Sequence, residues 1–458
     1  MRQQSESSVS LYGGSSTAVG RATAIRAGRV PVAVYGLGKM GLPLATVFAE
    51  ATGNTVGVDV DPAVVESVSD GDCPVTGEPG LPGAIRRVVA EGSLVATTEG
   101  DAAADGATVH VIIVPTLVEA GSPELTALRA AVSAVASGLD PGDLVCIEST
   151  VPPGTCEGVV VPQLVEESDC ERGEFGVAFC PERTASGRAL RDVRGAYPKV
   201  VGGVDTESTR AAASLYDVVT DNEVHTVADA TTAECVKVFE GVYRDVNIAL
   251  ANELATLAEE LGVDVYEAIE TANAQPYCDL HRPGAGVGGH CIPYYPYFLI
   301  DTCDTGTPLL RRARRINDAM PGYTVGKLSE GLRERGVALS EATVAVLGFA
   351  YRPGVDETRE SPGVAIASLL RDAGADVVGV DPVVDLDTID VRPATMEALP
   401  DFDLDGLVLA TAHDEFDDID WNQFERAVVV DGRNALDESV GPGRTVRVVG
   451  KGEDDRFR

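Results

Sequence analysis

Cys291 closes the segment Gly284-Ala-Gly-Val-Gly-Gly-His-Cys-Ile-Pro293, a stretch almost bare of side chains. A thiol in that setting suits attack on a bound carbonyl, because the thiolate is a strong nucleophile even at a small ionised fraction. The glycines are expected to let a ligand approach closely and to permit positive dihedrals. Pro283 and Pro293 stiffen both ends. A second chemical feature is Gly36-Leu-Gly38-Lys39-Met40-Gly41, whose glycine spacing fits a backbone cradle for a diphosphate.

These residues need elements to hold them. The β-branched run Arg29–Tyr35 predicts a buried strand leading into the glycine turn, and a helix follows over Leu42–Thr52. A second strand over Thr55–Asp59 ends in an acid, which would take the adenosine ribose and favour NAD over NADP. Further strands over Thr108–Val114 and Asp143–Glu148 end in the polar turns Pro115-Thr116 and Ser149-Thr150-Val-Pro-Pro-Gly154. Ligands of open α/β sheets collect at such strand ends, so Thr150 is a candidate site hydroxyl. From Asp229 to about Ala274 the apolar spacing predicts one long helix and a second starting near Asp264. Lys237 lies on the long helix, whose apolar stripe would suit a dimer surface. Ala342–Gly348 and Ala375–Asp381 repeat the strand pattern of the first domain, with Tyr351–Ser361 in place of the glycine turn. Arg352 and Arg359 in that loop match the oxygens of a diphosphate.

The fold class expected is therefore α/β: an N-terminal Rossmann NAD-binding domain over 31–225, a central long-helix dimerisation domain over 226–325, and a C-terminal Rossmann-like domain over 326–458 whose arginine loop suits a diphosphate or uridine. Residues 1–30, rich in Ser, Gly and Arg, read as a disordered or loosely attached tail. No apolar run is long enough to span a bilayer, and no signal peptide opens the chain. The nine cysteines form no CxxC pair, so neither a disulfide framework nor a metal site is indicated, and a reducing cytoplasm fits. The net charge is −36, yet 44% of residues are hydrophobic, which argues for a folded chain. Lysine occurs only at positions 39, 199, 237, 327 and 451. Such acidity with scarce lysine suits a high-salt cytoplasm, where screening acts over ~3 Å at 1 M, and it excludes nucleic acid as a partner.

Together these segments resemble the UDP-glucose/GDP-mannose dehydrogenase family from about Val32 to Asn434. The matching stretches are GLGKMGLPLA, STVPPGT, PER at Pro181, YPKVVGG, AECVK, RDVNIALANEL, PGAGVGGHCIP and FAYRPGVDETRESP. PER and GGHC look like the branch acting on UDP-N-acetylhexosamines, with UDP-N-acetyl-D-mannosamine as the expected substrate; UDP-glucose and UDP-N-acetylglucosamine are the alternatives. The resemblance implies four-electron oxidation at C6 with NAD. Cys291 would be the nucleophile, Lys237 the oxyanion donor, and Thr150 and Glu182 would hold water or move protons. Cofactor contacts would come from Gly36, Gly38, Lys39, Met40, Gly41, Asp59, Pro115, Thr116 and Thr150. Substrate contacts would come from Glu182, Arg183, Lys237, Arg244, Asn247, Gly288, His290, Tyr351, Arg352 and Arg359. A homodimer or higher homo-oligomer through the central helix is implied. Three positions depart from the family pattern: Gly241 stands for its Asn, Tyr277 for its Arg and Tyr295 for its Asp. A two-electron dehydrogenase of the 6-phosphogluconate type would need no Cys291, and an inactive sugar-nucleotide-binding protein would not need Cys291, Lys237, Thr150 and Glu182 together.

Overall fold

The computed structural model describes residues 9–185, 187–437, 440 and 445–452. The chain forms two compact units, Met1–Phe239 with Tyr297–Thr302, and Glu240–Pro296 with Cys303–Arg458. The division between the two falls inside the long helix Ala230–Thr256.

The strands of the first unit are β1 (Val32–Tyr35), β2 (Thr55–Val58), β3 (Leu94–Thr97), β4 (Val109–Ile112), β5 (Leu117–Glu119), β6 (Ser122–Glu124), β7 (Leu144–Ile147), β8 (Gly176–Phe179), β9 (Lys199–Gly203) and β10 (Val224–Thr226). β5 and β6 make a small hairpin, and the rest form one sheet in the order β10-β9-β8-β7-β4-β1-β2-β3. Only the β8–β9 pairing is antiparallel. β1, β4, β7 and β8 are buried along their whole length, as strands covered on both faces must be, and their unbroken apolar runs follow from that. The strand order reverses between β1 and β4, the position where open α/β sheets bind ligands.

Residues 9–30, expected as a loose tail, are instead built into this unit. Ala18–Arg26 is a helix with Thr17 capping Gly20 N, and Leu11 and Ile25 are fully buried in the core. Tyr12 OH donates to Asp205 Oδ2 at 3.0 Å, and Arg21 Nε donates to Ser214 Oγ at 3.1 Å. Low local hydrophobicity concealed this, because Tyr12 and Arg21 find their hydrogen-bond partners 193 residues away. Residues 1–8 lie outside the described residues.

In the second unit β11 (Thr343–Leu347), β12 (Asp376–Val380), β13 (Arg392–Pro393), β14 (Gly406–Leu409), β15 (Val428–Asp431) and β16 (Thr445–Val448) form a parallel sheet in the order β13-β12-β11-β14-β15-β16. This order repeats that around β1, and the turns agree in atomic detail. Gly36 and Gly348 hold φ of 101° and 91°. A Cβ on Gly41 would lie 1.9 Å from Gly36 O, and one on Gly363 would lie 2.1 Å from Gly348 O. Both helices can start this close to their strands only from glycine.

The long helix and the helix Val265–Asn273, capped by Asp264, appear as the spacing predicts. Within the second unit a buried polar network ties the long helix to the helix Pro308–Glu334. Arg314 Nη1 meets Asp245 Oδ1 at 2.5 Å, Asn317 Nδ2 donates to Asp245 Oδ1 at 2.8 Å, and Asn252 Nδ2 donates to Asn317 Oδ1 at 2.9 Å. Phe239, Tyr243, Leu250 and Leu257 remain exposed at helical spacing along the long helix and just beyond it. Among the described residues no helix is long and apolar enough to cross a membrane.

Candidate active site

The glycine turn leaves β1 at the reversal of the sheet. Gly36 and Gly41 are pressed against protein, since a Cβ on Gly36 would lie 2.3 Å from Ile113 O. Gly38 is exposed and a Cβ there would meet nothing within 4 Å, so the open side of the turn is at Gly38. That is the shape a pyrophosphate needs, with the helix Gly41–Thr52 pointing its amides at it. Asp59 Oδ2 accepts from Leu37 N at 2.7 Å, which places the carboxylate beside the turn. Thr116 Oγ1 is buried with no protein partner, beside the exposed Pro115. These residues fit NAD. Asp381, the counterpart of Asp59, does not repeat the fit. It accepts from the amides of Phe349, Ala350, Val383 and Val384 at 2.6 to 2.9 Å, and His413 Nε2 lies 3.3 Å away. These hydrogen bonds hold its pKa well below the usual range against the opposing effect of burial. With its lone pairs taken, Asp381 cannot receive a ribose.

Three loops meet at the same edge of the first unit. Ser149 Oγ accepts from Val114 N at 2.8 Å, joining the ends of β4 and β7 just before the half-buried Thr150. The loop after β8 carries Glu182 and Arg183; Glu182 folds back onto Thr184 N, and Arg183 Nη1 donates to Pro198 O at 3.1 Å. Thr184 Oγ1 reaches Met40 Sδ at 3.1 Å, so this loop touches the glycine turn. Lys237 Nζ donates to Glu182 O. Glu234, one turn earlier on the helix, accepts from Gly154 N and from Cys156 N at 2.8 Å, and so fixes the Thr150 loop. Burial pushes the Glu234 carboxyl upward, opposed by those amides. The sequence reading missed Glu234; its spacing three before Lys237 was visible, but its partners some 80 residues away were not.

The second unit holds Cys291. Its half-buried residue starts the turn into the helix Tyr295–Thr302, and its carbonyl accepts from Tyr294 N and Tyr295 N at 3.1 and 3.0 Å. The glycines before it do not serve a ligand as expected. A Cβ on Gly288 would lie 2.8 Å from both Tyr351 Cβ and Glu360 O, and one on Gly289 would lie 3.0 Å from the Tyr351 ring. Gly284 and Gly286 are likewise tight against Arg433 and Pro362. The segment is glycine-rich because protein packs on it. Gly289 N donates to Arg359 O at 2.8 Å, which binds the cysteine segment to the arginine loop. Cys291 lies near enough to Tyr351 to help raise the phenol's pKa, after burial as the main cause. His290 is half-buried, and Arg352, Arg359 and Arg244 are exposed. Asn247, expected at the substrate, instead holds a loop: Nδ2 donates to Asp279 O and Oδ1 accepts from His281 N, both at 2.8 Å.

Gly241 and Tyr295 prove to be one feature. A Cβ on Gly241 would lie 2.0 Å from Tyr295 Cδ2, so the ring occupies the space a side chain at 241 would need. Tyr277 is 94% exposed and takes no part.

A dinucleotide-binding sheet followed by a second sheet of the same order, whose acid is sealed and whose turn is replaced by an arginine loop, points to a nucleotide-linked dehydrogenase. The chain belongs to the UDP-glucose/GDP-mannose dehydrogenase family: residues 30–220 match its NAD binding domain, 231–319 its central domain and 345–438 its UDP binding domain. It is 38% identical over 431 residues to the UDP-N-acetyl-D-mannosamine dehydrogenase of Pyrococcus horikoshii, covering 92% of this chain and 99% of that one. A solved structure of UDP-D-ManNAc dehydrogenase from Pyrococcus horikoshii superposes with a TM-score of 0.86 at 37% identity, covering 92% of this chain and all of that one. A UDP-glucose dehydrogenase structure from Pyrobaculum islandicum superposes with a TM-score of 0.82 at 31% identity, covering 92% and 98%. The protein is an NAD-dependent nucleotide-sugar dehydrogenase.

Proposed function

We propose that this enzyme oxidises UDP-N-acetyl-D-mannosamine at C6 to the uronate, with two NAD consumed per sugar, and so supplies a uronic acid for surface polysaccharide or glycoprotein synthesis. The observation that supports the covalent scheme is that the segment carrying the half-buried Cys291 is bound to the arginine loop, with Gly289 N donating to Arg359 O at 2.8 Å. The substrate assignment is supported by the relative's 38% identity together with PER and GGHC. The shared fold of the UDP-glucose dehydrogenase keeps UDP-glucose as the competing substrate.

NAD, held by the glycine turn and Asp59, would supply the hydride acceptor for the oxidation of C6 to an aldehyde. The Cys291 sulfur then adds to the aldehyde carbon, and the resulting thiohemiacetal loses hydride to leave a thioester. Water cleaves this ester to the uronate and regenerates the thiol, so that one alcohol, one water and two NAD give one carboxylate, two NADH and three protons. Lys237 stabilises the oxygen at C6, an effect typically worth ~3–4 kcal/mol per preorganised donor. Thr150 and Glu182 hold the water and move its proton. Arg352, Arg359 and Tyr351 take the UDP portion, with Arg183, Arg244 and His290 toward the sugar. The sulfur step has a direct test in the ratio of NADH to sugar for wild type and Cys291→Ala. Wild type should give two, and the variant no uronate. One NADH with free aldehyde from wild type refutes the scheme. The exposed face at Phe239, Tyr243, Leu250 and Leu257 supports a homodimer through the long helix. The −36 charge supports work in a high-salt cytoplasm.

A further inference from the structure

Of the five lysines, two donate to consecutive carbonyls of one loop: Lys199 Nζ to Pro181 O at 3.3 Å, and Lys237 Nζ to Glu182 O. Lys199 opens β9 and is held from two other directions. Its Nζ meets Glu148 Oε2 at 2.7 Å and lies 4.5 Å from the centre of the Tyr216 ring. Glu148 follows β7 directly, two residues before Thr150, and its side chain is wholly buried. Its other oxygen accepts from Tyr216 OH, itself 1% exposed. Burial pushes the Glu148 carboxyl upward, Lys199 and Tyr216 pull it back, and the charge of Glu182 raises it further. Glu148, Glu182, Lys199 and Tyr216 line one cavity of about 40 Å³.

A buried ion pair contributes little to stability beyond what an apolar pair of the same volume would. What Lys199 adds is a directed charged donor at the root of the loop that carries Glu182. We propose that Lys199, fixed by Glu148 and Tyr216, is a positioning residue for Glu182: it pins the Pro181 carbonyl while Lys237 takes the next one, so that the Glu182 side chain is presented at the carboxyl edge of the sheet. The inference rests on the assignment of Glu182 to the chemistry at C6.

The test is a double-mutant cycle of Lys199→Met and Glu182→Gln, assayed as NADH formation from UDP-N-acetyl-D-mannosamine in molar KCl. Lys199→Met should lower kcat by about tenfold or more, the size expected for one charge-assisted hydrogen bond, with KM for NAD and sugar within about twofold of wild type. In the Glu182→Gln background the same change should cost almost nothing, and Lys199→Arg should restore most of the lost rate. Additive losses, or a rise in KM alone, overturn the proposal. If Lys199→Met does not fold, Glu148→Gln weakens the hold on Lys199 and enters the same cycle. Hydrogen exchange of the peptide spanning 181–185 provides a readout without substrate. Faster exchange at Thr184 in Lys199→Met supports the role and unchanged exchange refutes it, even if the wild type oxidises none of the UDP-sugars and the assigned reaction itself is wrong.

Discussion

Gly241 lies inside a helix of 27 residues, where an exposed glycine-to-alanine change stabilises a protein by about 1 kcal/mol. Here the sign should reverse. The added methyl would sit 2.0 Å from Tyr295 Cδ2, 2.9 Å from its Cγ and 3.0 Å from its Cβ. Turning the ring does not relieve the clash, because the Tyr295 Cβ is itself at the limit of contact and the residue is only 8% exposed. An approach of 2.0 Å belongs to the upper part of the overpacking range, roughly 2–3 kcal/mol, so the net effect of Gly241→Ala should be a loss of roughly 1–2 kcal/mol. Tyr295→Ala alone should cost about 3 kcal/mol from the cavity it leaves. Adding Gly241→Ala to that variant should recover about 1 kcal/mol, since the helix gains propensity and the clash is gone. The coupling between the two positions is then about 2–3 kcal/mol, which melts of the four proteins at one fixed KCl concentration would resolve at roughly 2–4 °C per kcal/mol. A higher melting temperature for Gly241→Ala in the otherwise intact chain would refute the reasoning. The consequence for chemistry follows: Gly241→Asn alone should be damaging, and tolerated only together with Tyr295→Asp.

Removing residues 1–30 should lower the melting temperature, because Leu11 and Ile25 leave the core, while KM for NAD stays unchanged; an equally stable truncated protein would return the segment to a loose tail. Stability should rise with KCl into the molar range, and a melting temperature flat across the series would make the −36 charge incidental. Replacing Asp59 with Ser should relax the preference for NAD over NADP, and equal use of both cofactors by the unaltered enzyme would show that Asp59 does not face the ribose.

The local pattern of the chain was enough for the central strands β1, β2, β4 and β7 of the first sheet and β11 and β12 of the second, because each is a short apolar run, while β3, β8, β9, β10 and β13 to β16 were not named from it. Gly36, Gly41, Asp59 and the helix start after Asp264 could be named from spacing alone. Cys291 could be singled out by its glycine-rich setting and Lys237 as one of five lysines, but the roles given to them come from the family resemblance. What tertiary structure decided are the relations between residues far apart in sequence. The glycines beside Cys291 looked like room for a ligand, yet they are occupied by Tyr351, Glu360, Arg433 and Pro362. Gly241 and Tyr295 looked like separate losses, and one ring accounts for both. Residues 9–30 looked too polar to fold, because sequence carries no trace of the surface at Asp205 and Ser214 that receives them. Periodicity is set by each residue's own backbone neighbours, and so can be read along the chain. A contact across 54 or 190 positions depends on where two turns bring their side chains, which no local pattern encodes.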